Sequence, residues 1–252
     1  MKITLLGTGT STGIPIIGCD CEVCTSQNPR NKRLRTSALI QEGGKNILID
    51  CSTDFRQQAL TYHIDRIDAV LITHAHADHV AGIDELRIFN FIQGGPIQIF
   101  AAQDVLDDIK MRFHYCFDPP QIGGGVPQLE LVPVDRPFEL FGITIIPLPV
   151  MHGEIPILGF RFNDFTYITD ASSISEETFK KVEGTRIFVL NALRYKPHAT
   201  HFSLSEALET SRRIKPDKTF FTHIAHKMEH EAANRQLPPD ARLAYDGQVI
   251  EL

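Results

Sequence analysis

Short apolar runs set the rhythm of this chain. Lys2 to Leu6, Ile67 to Ile72, Ile97 to Ala101 and Arg186 to Asn191 each hold four to six residues rich in Ile, Leu and Val, the length and composition of buried strands. Thr36–Gln41 and Asn46–Asp50 flank Gly43-Gly44 and read as a hairpin. Further strands are expected at about 129–134, 142–149, 157–162 and 165–169, then at Thr219–Thr222, with a final hairpin around Asp246-Gly247. Helical periodicity marks Thr53–Tyr62, Val105–Phe113 and a segment near 203–214, and a helix starts over Val80–Leu86. Residues 117–127, with Pro119, Pro120 and Gly123–Gly125, read as a loop. Groups of strands separated by helices predict a layered α/β fold with mixed sheets. No linker, low-complexity run or repeat divides the chain, so residues 1–252 are expected to form one domain.

The densest chemistry is Thr73-His74-Ala75-His76-Ala77-Asp78-His79. It follows the apolar run Ile67–Ile72, at the carboxyl end of a strand, where open α/β sheets place their sites. His74 and His76 are two apart and share one side of an extended segment. Asp78 and His79 fall on the turn into the next helix and aim at a second point. Imidazole and carboxylate both bind divalent metals, so this spacing serves two adjacent ions better than one. Three later residues also stand after predicted strands: His152, Asp170 and His223. Asp50 ends its own strand and is placed to orient a ligand histidine. His63, His114 and His230 lack such a context and read as surface or core residues.

Composition narrows the partners. The net charge is −6 from 25 basic and 31 acidic residues, which does not suit non-specific binding to a phosphate backbone and leans towards a small substrate. No apolar run is long enough for a bilayer, and the first strand meets Gly7 too early for a secretory signal, so the expectation is a cytoplasmic protein. Five cysteines are present, three of them crowded as Cys19-x-Cys21-x-x-Cys24, a pattern that in a cytosolic enzyme suggests metal more than disulfides. The small-residue stretch Gly7–Pro15 has neither the Walker nor the dinucleotide spacing. It is open between a tight turn and backbone that approaches substrate or metals.

His-x-His-x-Asp-His resembles the signature of the metallo-β-lactamase-fold hydrolases. With Cys19-x-Cys21-x-x-Cys24, the Gly-Thr-Gly loop and Thr222-His223-Ile224-Ala225-His226, the chain resembles the PhnP-like phosphodiesterases of the RNase Z-like branch. The resemblance implies an αββα sandwich and a homodimer. It implies that His74, His76 and His152 hold one metal, Asp78, His79 and His223 a second, manganese or zinc, with Asp170 bridging them. It implies a structural zinc on Cys19, Cys21, Cys24 and His226, in a small loop at 18–25. Asp78 and His201 are then the catalytic candidates, with His201 as general acid in preference to His198, and Ser203 as a possible helix N-cap. Aspartate at the bridging position, where a cysteine could stand, favours hard-metal hydrolysis of phosphates over redox chemistry. The implied substrate is a small cyclic phosphodiester, like a phosphoribosyl cyclic phosphate. The segments at 114–127 and 194–202 are expected to line its pocket. The rivals are a tRNA 3′-processing nuclease, which lacks an evident RNA-grasping arm here, a thioester hydrolase, and a non-catalytic PqqB-like binding protein, which would not need seven intact ligands.

Overall fold

The computed structural model describes residues 1–118 and 125–252. Much of the loop expected at 117–127, including Pro119, Pro120, Gly123 and Gly124, lies outside the described residues. In chain order the elements are β1 (Lys2–Gly7), α1 (Glu22–Thr25), β2 (Ser37–Glu42), β3 (Lys45–Ile49), α2 (Phe55–Thr61), β4 (Ala69–Leu71), α3 (Ala77–Val80), α4 (Arg87–Gln93), β5 (Ile97–Ala101), α5 (Gln103–Arg112), α6 (His114–Phe117), β6 (Leu129–Pro133), β7 (Phe138–Leu140) and β8 (Ile143–His152). There follow β9 (Ile155–Phe162), β10 (Phe165–Ile168), β11 (Ser173–Ile174), α7 (Glu176–Val182), β12 (Ile187–Asn191), α8 (Leu204–Ile214), β13 (Lys218–Thr222), α9 (His230–Asn234), β14 (Ala241–Leu243) and β15 (Gln248–Glu251).

The strands form two mixed sheets. One runs β15-β1-β2-β3-β4-β5-β6 and the other β11-β8-β9-β10-β12-β13-β14, with β7 paired to β8. Each is antiparallel on one side and parallel on the other. The parallel parts are β3-β4-β5-β6 and β10-β12-β13-β14. Parallel neighbours end on the same side, so the residues that follow β3, β4, β10 and β13 gather along one rim.

Three apolar layers hold the sandwich. Between the sheets, Ile3, Leu5, Ile40, Ile49 and Leu71 meet Ile145, Phe160, Phe162, Tyr167 and Val189. Outside the first sheet, Leu48, Val70 and Ile99 pack under Phe55, Phe89, Val105 and Ile109 of the helices. Outside the second, Phe188, Leu190 and Phe221 pack under Val182, Leu204 and Ala207. Two sheets flanked by helices make the αββα arrangement, and it follows from strands that are apolar on both faces. No helix among the described residues is long and apolar enough to cross a membrane.

Two expectations are corrected. The helix expected over Val80–Leu86 is broken. α3 is a single turn, a 3₁₀ turn covers Ile83–Leu86, and only then does α4 begin. The break lies at Gly82, whose backbone rests on Cys51–Ser52; its N–H donates to the Cys51 carbonyl at 2.9 Å, and a Cβ there would come within 2.0 Å of the Ser52 carbonyl oxygen. Asp246-Gly247 is not a hairpin turn. β14 pairs in parallel with β13, whereas β15 pairs with β1 in the other sheet, so the chain changes sheets there. The Gly7–Pro15 stretch also has a definite role. A Cβ on Gly7 would fall 2.0 Å from the Arg35 carbonyl oxygen, so the glycines admit the backbone of 33–35.

Gly82→Ala forces a Cβ into a main-chain contact and should cost about 1–3 kcal/mol, the usual range for overpacking. The expected result is a melting temperature lowered by several degrees; an unchanged melt would show that the 51–52 and 82 backbones do not need this approach.

Candidate metal centre

The site begins with three non-glycine residues in the left-handed region. Asp50, Asp170 and His223 have φ of 59°, 58° and 56° and sit just beyond β3, β10 and β13. L-residues pay for this conformation. Here it turns each side chain off its strand end and into the rim between the sheets.

Asp50 is fully buried. Its Oδ1 accepts the Thr73 backbone N–H at 2.8 Å, and its Oδ2 accepts the Thr73 hydroxyl at 2.9 Å and Nδ1 of His79 at 2.7 Å. A carboxylate only accepts, so His79 carries its proton on Nδ1 and turns a bare Nε2 to the rim. The same logic passes through Thr73. Its hydroxyl proton goes to Asp50, so its oxygen accepts from Nδ1 of His74 at 3.0 Å. His74 is therefore also bare at Nε2. Nδ1 of His152 is 2.7 Å from the Thr200 carbonyl oxygen, which again leaves Nε2 free.

These free nitrogens converge in two groups. His74, His76 and His152 form one, and Asp78, His79, Asp170 and His223 the other; within each, the candidate atoms all lie within 4.8 Å of one another. His74 Nε2 and His76 Nδ1 are 3.1 Å apart. Asp170 stands between the groups. Its carboxylate is 3.6 Å from His79 Nε2 and 3.1 Å from His223 Nε2, and it also clusters with His152 and His201. Asp78 lies 3.4 Å from His79 Nε2 and 3.9 Å from His223 Nε2.

The donor set itself suits a cation. His79 Nε2 and both ring nitrogens of His223 are buried with no hydrogen-bond partner. Buried polar atoms are rarely left so. A bare nitrogen facing a carboxylate oxygen is repulsive unless a proton or a metal lies between them. The residues fit divalent cations on both counts. The charges alone pull the same way. Burial opposes ionisation of His223, but Asp170 and Asp78 outweigh it and push its pKa up to about 9. Burial likewise opposes charge on Asp170, yet His223 and His79 hold it well below the usual carboxylate range. Burial and the neighbouring His79 keep His74 neutral, its pKa well below the usual histidine range.

His201 stacks on His223 with ring centroids 4.9 Å apart, and its Nε2 is 3.2 Å from Asp170 Oδ2. It precedes α8, where Ser203 and Glu206 form a capping box. Of the expected pocket segments, 198–201 borders the site through these contacts. In the described part of the other, the Tyr115 hydroxyl donates to Asp84 at 2.6 Å.

A second cluster lies apart. The sulfurs of Cys19, Cys21 and Cys24 are 3.3, 3.4 and 3.6 Å from His226 Nδ1. Four ligands at zinc distances in a tetrahedron would stand roughly this far apart. Backbone N–H donation near Cys24 draws the Cys21 thiol down to about 6, while burial pushes Cys24 up to about 11. His63 and His114 are exposed and His230 is buried outside the site.

Some partners were not singled out from the sequence. Thr73 links Asp50 to His74. Asn191 holds the Asp170 turn, accepting from the Ala171 N–H at 2.8 Å and donating to its carbonyl at 2.9 Å. Asn191 ends its strand, so the rule that found Asp170 would have found it too.

A beta-lactamase superfamily domain matches residues 45–224 of the chain. The crystal structure of a new diphosphatase from the PhnP family is 43% identical, covers 100% of this chain and 97% of its own, and superposes with a TM-score of 0.93. The octanoyltransferase of Porphyromonas gingivalis is 42% identical over 98% of this chain, and the chain spans about half of that relative, 51% of its length. Zinc-bound PqqB from Methylobacterium extorquens shares the fold, with a TM-score of 0.80 at 18% identity and 100% coverage of both chains. The fold and these matches place the protein in the beta-lactamase superfamily. Within it, the chain belongs to the PhnP family.

Asp50→Asn keeps the shape but has one accepting oxygen in place of two, so it cannot accept all three hydrogen bonds from Thr73 and His79. Metal affinity at the rim should fall about 10–100-fold, the usual effect of losing such an outer partner. Metal titration with an intact far-ultraviolet spectrum checks this, and undiminished affinity would deny Asp50 its role.

Proposed function

We propose that this protein is a dinuclear metal-dependent phosphodiesterase acting on a small, cyclic phosphodiester of the phosphoribosyl type. The observation that carries the reading is the pair of converging ligand groups on either side of Asp170, with the His201 ring against the same carboxylate. His74, His76 and His152 would hold one ion, Asp78, His79 and His223 the other, and Asp170 both, since a carboxylate has two oxygens to share. When bound, manganese or zinc ions supply a water of lowered pKa and neutralise charge on the phosphate. The chain's own residues do the rest. Asp78 accepts a hydrogen bond from the attacking water and keeps it oriented. His201 delivers a proton from Nε2 to the departing alkoxide, the step a poor leaving group needs most. Asp50 and Thr200 keep the ligand rings in the tautomers that leave Nε2 bare.

A second reading has specific support, because the 43% identical PhnP-family structure is described as a diphosphatase. The same residues would act on a diphosphate, whose phosphate leaving group needs little protonation. A panel of cyclic, alkyl and aryl phosphodiesters beside an organic diphosphate separates the two. The diester reading fails if only the diphosphate is turned over. In the diester case, His201→Ala should lose about 10²-fold or more on alkyl substrates, keep its metals, and lose far less on aryl ones.

The same reading includes a structural zinc on Cys19, Cys21, Cys24 and His226, and a homodimer. Exposed Leu60, Ile88, Phe91 and Ile92 on α2 and α4 would serve as an apolar contact for the second copy, which light scattering on Phe91→Glu would probe. Cys21→Ser should lose one zinc per chain and lower the melting temperature, with activity falling because His226 is three residues from His223. A variant that keeps its full metal content would refute the zinc assignment.

A further inference from the structure

The loop that carries His201 holds more contacts than the one carbonyl that the proposed chemistry uses. Thr200 touches three histidines. Its carbonyl accepts from His152 Nδ1 at 2.7 Å. Its backbone N–H points at His198 Nδ1, 3.2 Å away. Its hydroxyl oxygen lies 3.2 Å from that same His198 nitrogen and 2.9 Å from His201 Nδ1. The side chain is also fixed sterically. Gly153, with φ of 61°, packs against the methyl group so closely that a Cβ there would be 2.9 Å from Cγ2.

From these contacts we infer that Thr200 is a positioning residue that fixes the direction of the hydrogen bond at His201, with His198 as its anchor. The direction follows by elimination. A backbone amide can only donate, so His198 Nδ1 accepts and the His198 proton is on Nε2. His201 Nδ1 lies 3.4 Å from that bare nitrogen, and two facing lone pairs would repel, so His201 carries its hydrogen on Nδ1. The Thr200 hydroxyl oxygen, 2.9 Å away, accepts it, and the hydroxyl hydrogen turns towards His198. With Nδ1–H committed to Thr200, the other nitrogen of His201 faces Asp170 Oδ2 at 3.2 Å. Nε2 is thus the nitrogen turned to the rim, the one from which the donor of the proposed reaction releases its proton. Thr200 thus ties the orientation of the ligand His152, through its carbonyl, to the orientation of the donor His201, through its hydroxyl.

The inference rests on His201 being the donor, so the test separates the two. Thr200→Val removes the hydroxyl and keeps the carbonyl and the methyl group; Thr200→Ser keeps the hydroxyl. On an alkyl phosphodiester, Thr200→Val should be slower by roughly tenfold, the worth of one hydrogen bond, with metal content unchanged. On an aryl diester the loss should be much smaller, and Thr200→Ser should restore the alkyl rate. A second readout needs no turnover: ring-nitrogen NMR, with His201 assigned by its absence in His201→Ala, should show a protonated Nδ1 in the wild type and Thr200→Ser and a changed tautomer balance in Thr200→Val. Thr200→Val with a normal alkyl rate beside a crippled His201→Ala overturns this inference alone. A His201→Ala variant of normal alkyl rate overturns the donor reading and this one with it. An unprotonated Nδ1 on His201 in the wild type overturns the hydrogen-bond direction directly.

Discussion

One buried carboxylate governs the geometry of the rim. Asp50 is inaccessible to solvent and accepts three hydrogen bonds, two from Thr73 and one from His79. A lone charge at that depth would be very costly, and burial alone raises its pKa. The donors around it offset that cost and are themselves put in order by it. His79 is set directly and His74 through the Thr73 hydroxyl, so one carboxylate orients a candidate ligand in each group. Its backbone is equally constrained, in the left-handed region at the end of β3. β3 and β4 are parallel neighbours, with Ile49 beside Leu71, and this register brings the Asp50 side chain within reach of Thr73, one residue beyond its partner position.

The same constraint explains the interruptions in the helices. Cys51 N–H donates to the His79 carbonyl at 2.8 Å and Gly82 N–H to the Cys51 carbonyl at 2.9 Å. A helix continued through position 82 would give up the Gly82 N–H bond to Cys51, and with a side chain there would meet the Ser52 carbonyl. The short α3, the 3₁₀ turn and the late start of α4 are what the chain does to keep the 51–52 and 79–82 backbones in contact.

The two clusters are joined in a comparable way. Thr10 N–H donates to the Ile224 carbonyl at 3.1 Å, and Ile224 N–H to the Thr8 carbonyl at 2.9 Å. The segment between His223 and His226 is therefore sewn to the loop that leaves β1, and Cys19–Cys24 close over its far end. Under the loop, buried Arg33 donates to the Thr8 hydroxyl and to the Ala244 carbonyl, both at 2.6 Å. Thr8 in turn donates to Asp246, whose pKa burial pushes up to about 6. The position of His223 thus depends on residues from both ends of the chain.

By itself, the sequence determined the local chemistry and most of the elements. The apolar runs are strands because only β spacing buries residues on both faces of so short a segment. His74, His76, Asp78 and His79 crowd together because they are neighbours in the chain. The polar residues that end strands, Asp50, His152, Asp170 and His223, were visible for the same reason: a ligand-type side chain directly after an apolar run has few other uses. Tertiary structure alone decided what links them. Nothing local shows that β15 returns to the first sheet while β14 stays in the second, since both are short and partner choice rests on contacts far apart in sequence. Nothing local shows that Gly82 must be bare, because the Ser52 carbonyl it meets lies 30 positions upstream. Thr73 and Thr200 are ordinary threonines until folding sets Asp50 beside one and His152 beside the other. Hydrogen-bond direction at a histidine belongs to its neighbours in space, and those are known only once the sheets have met.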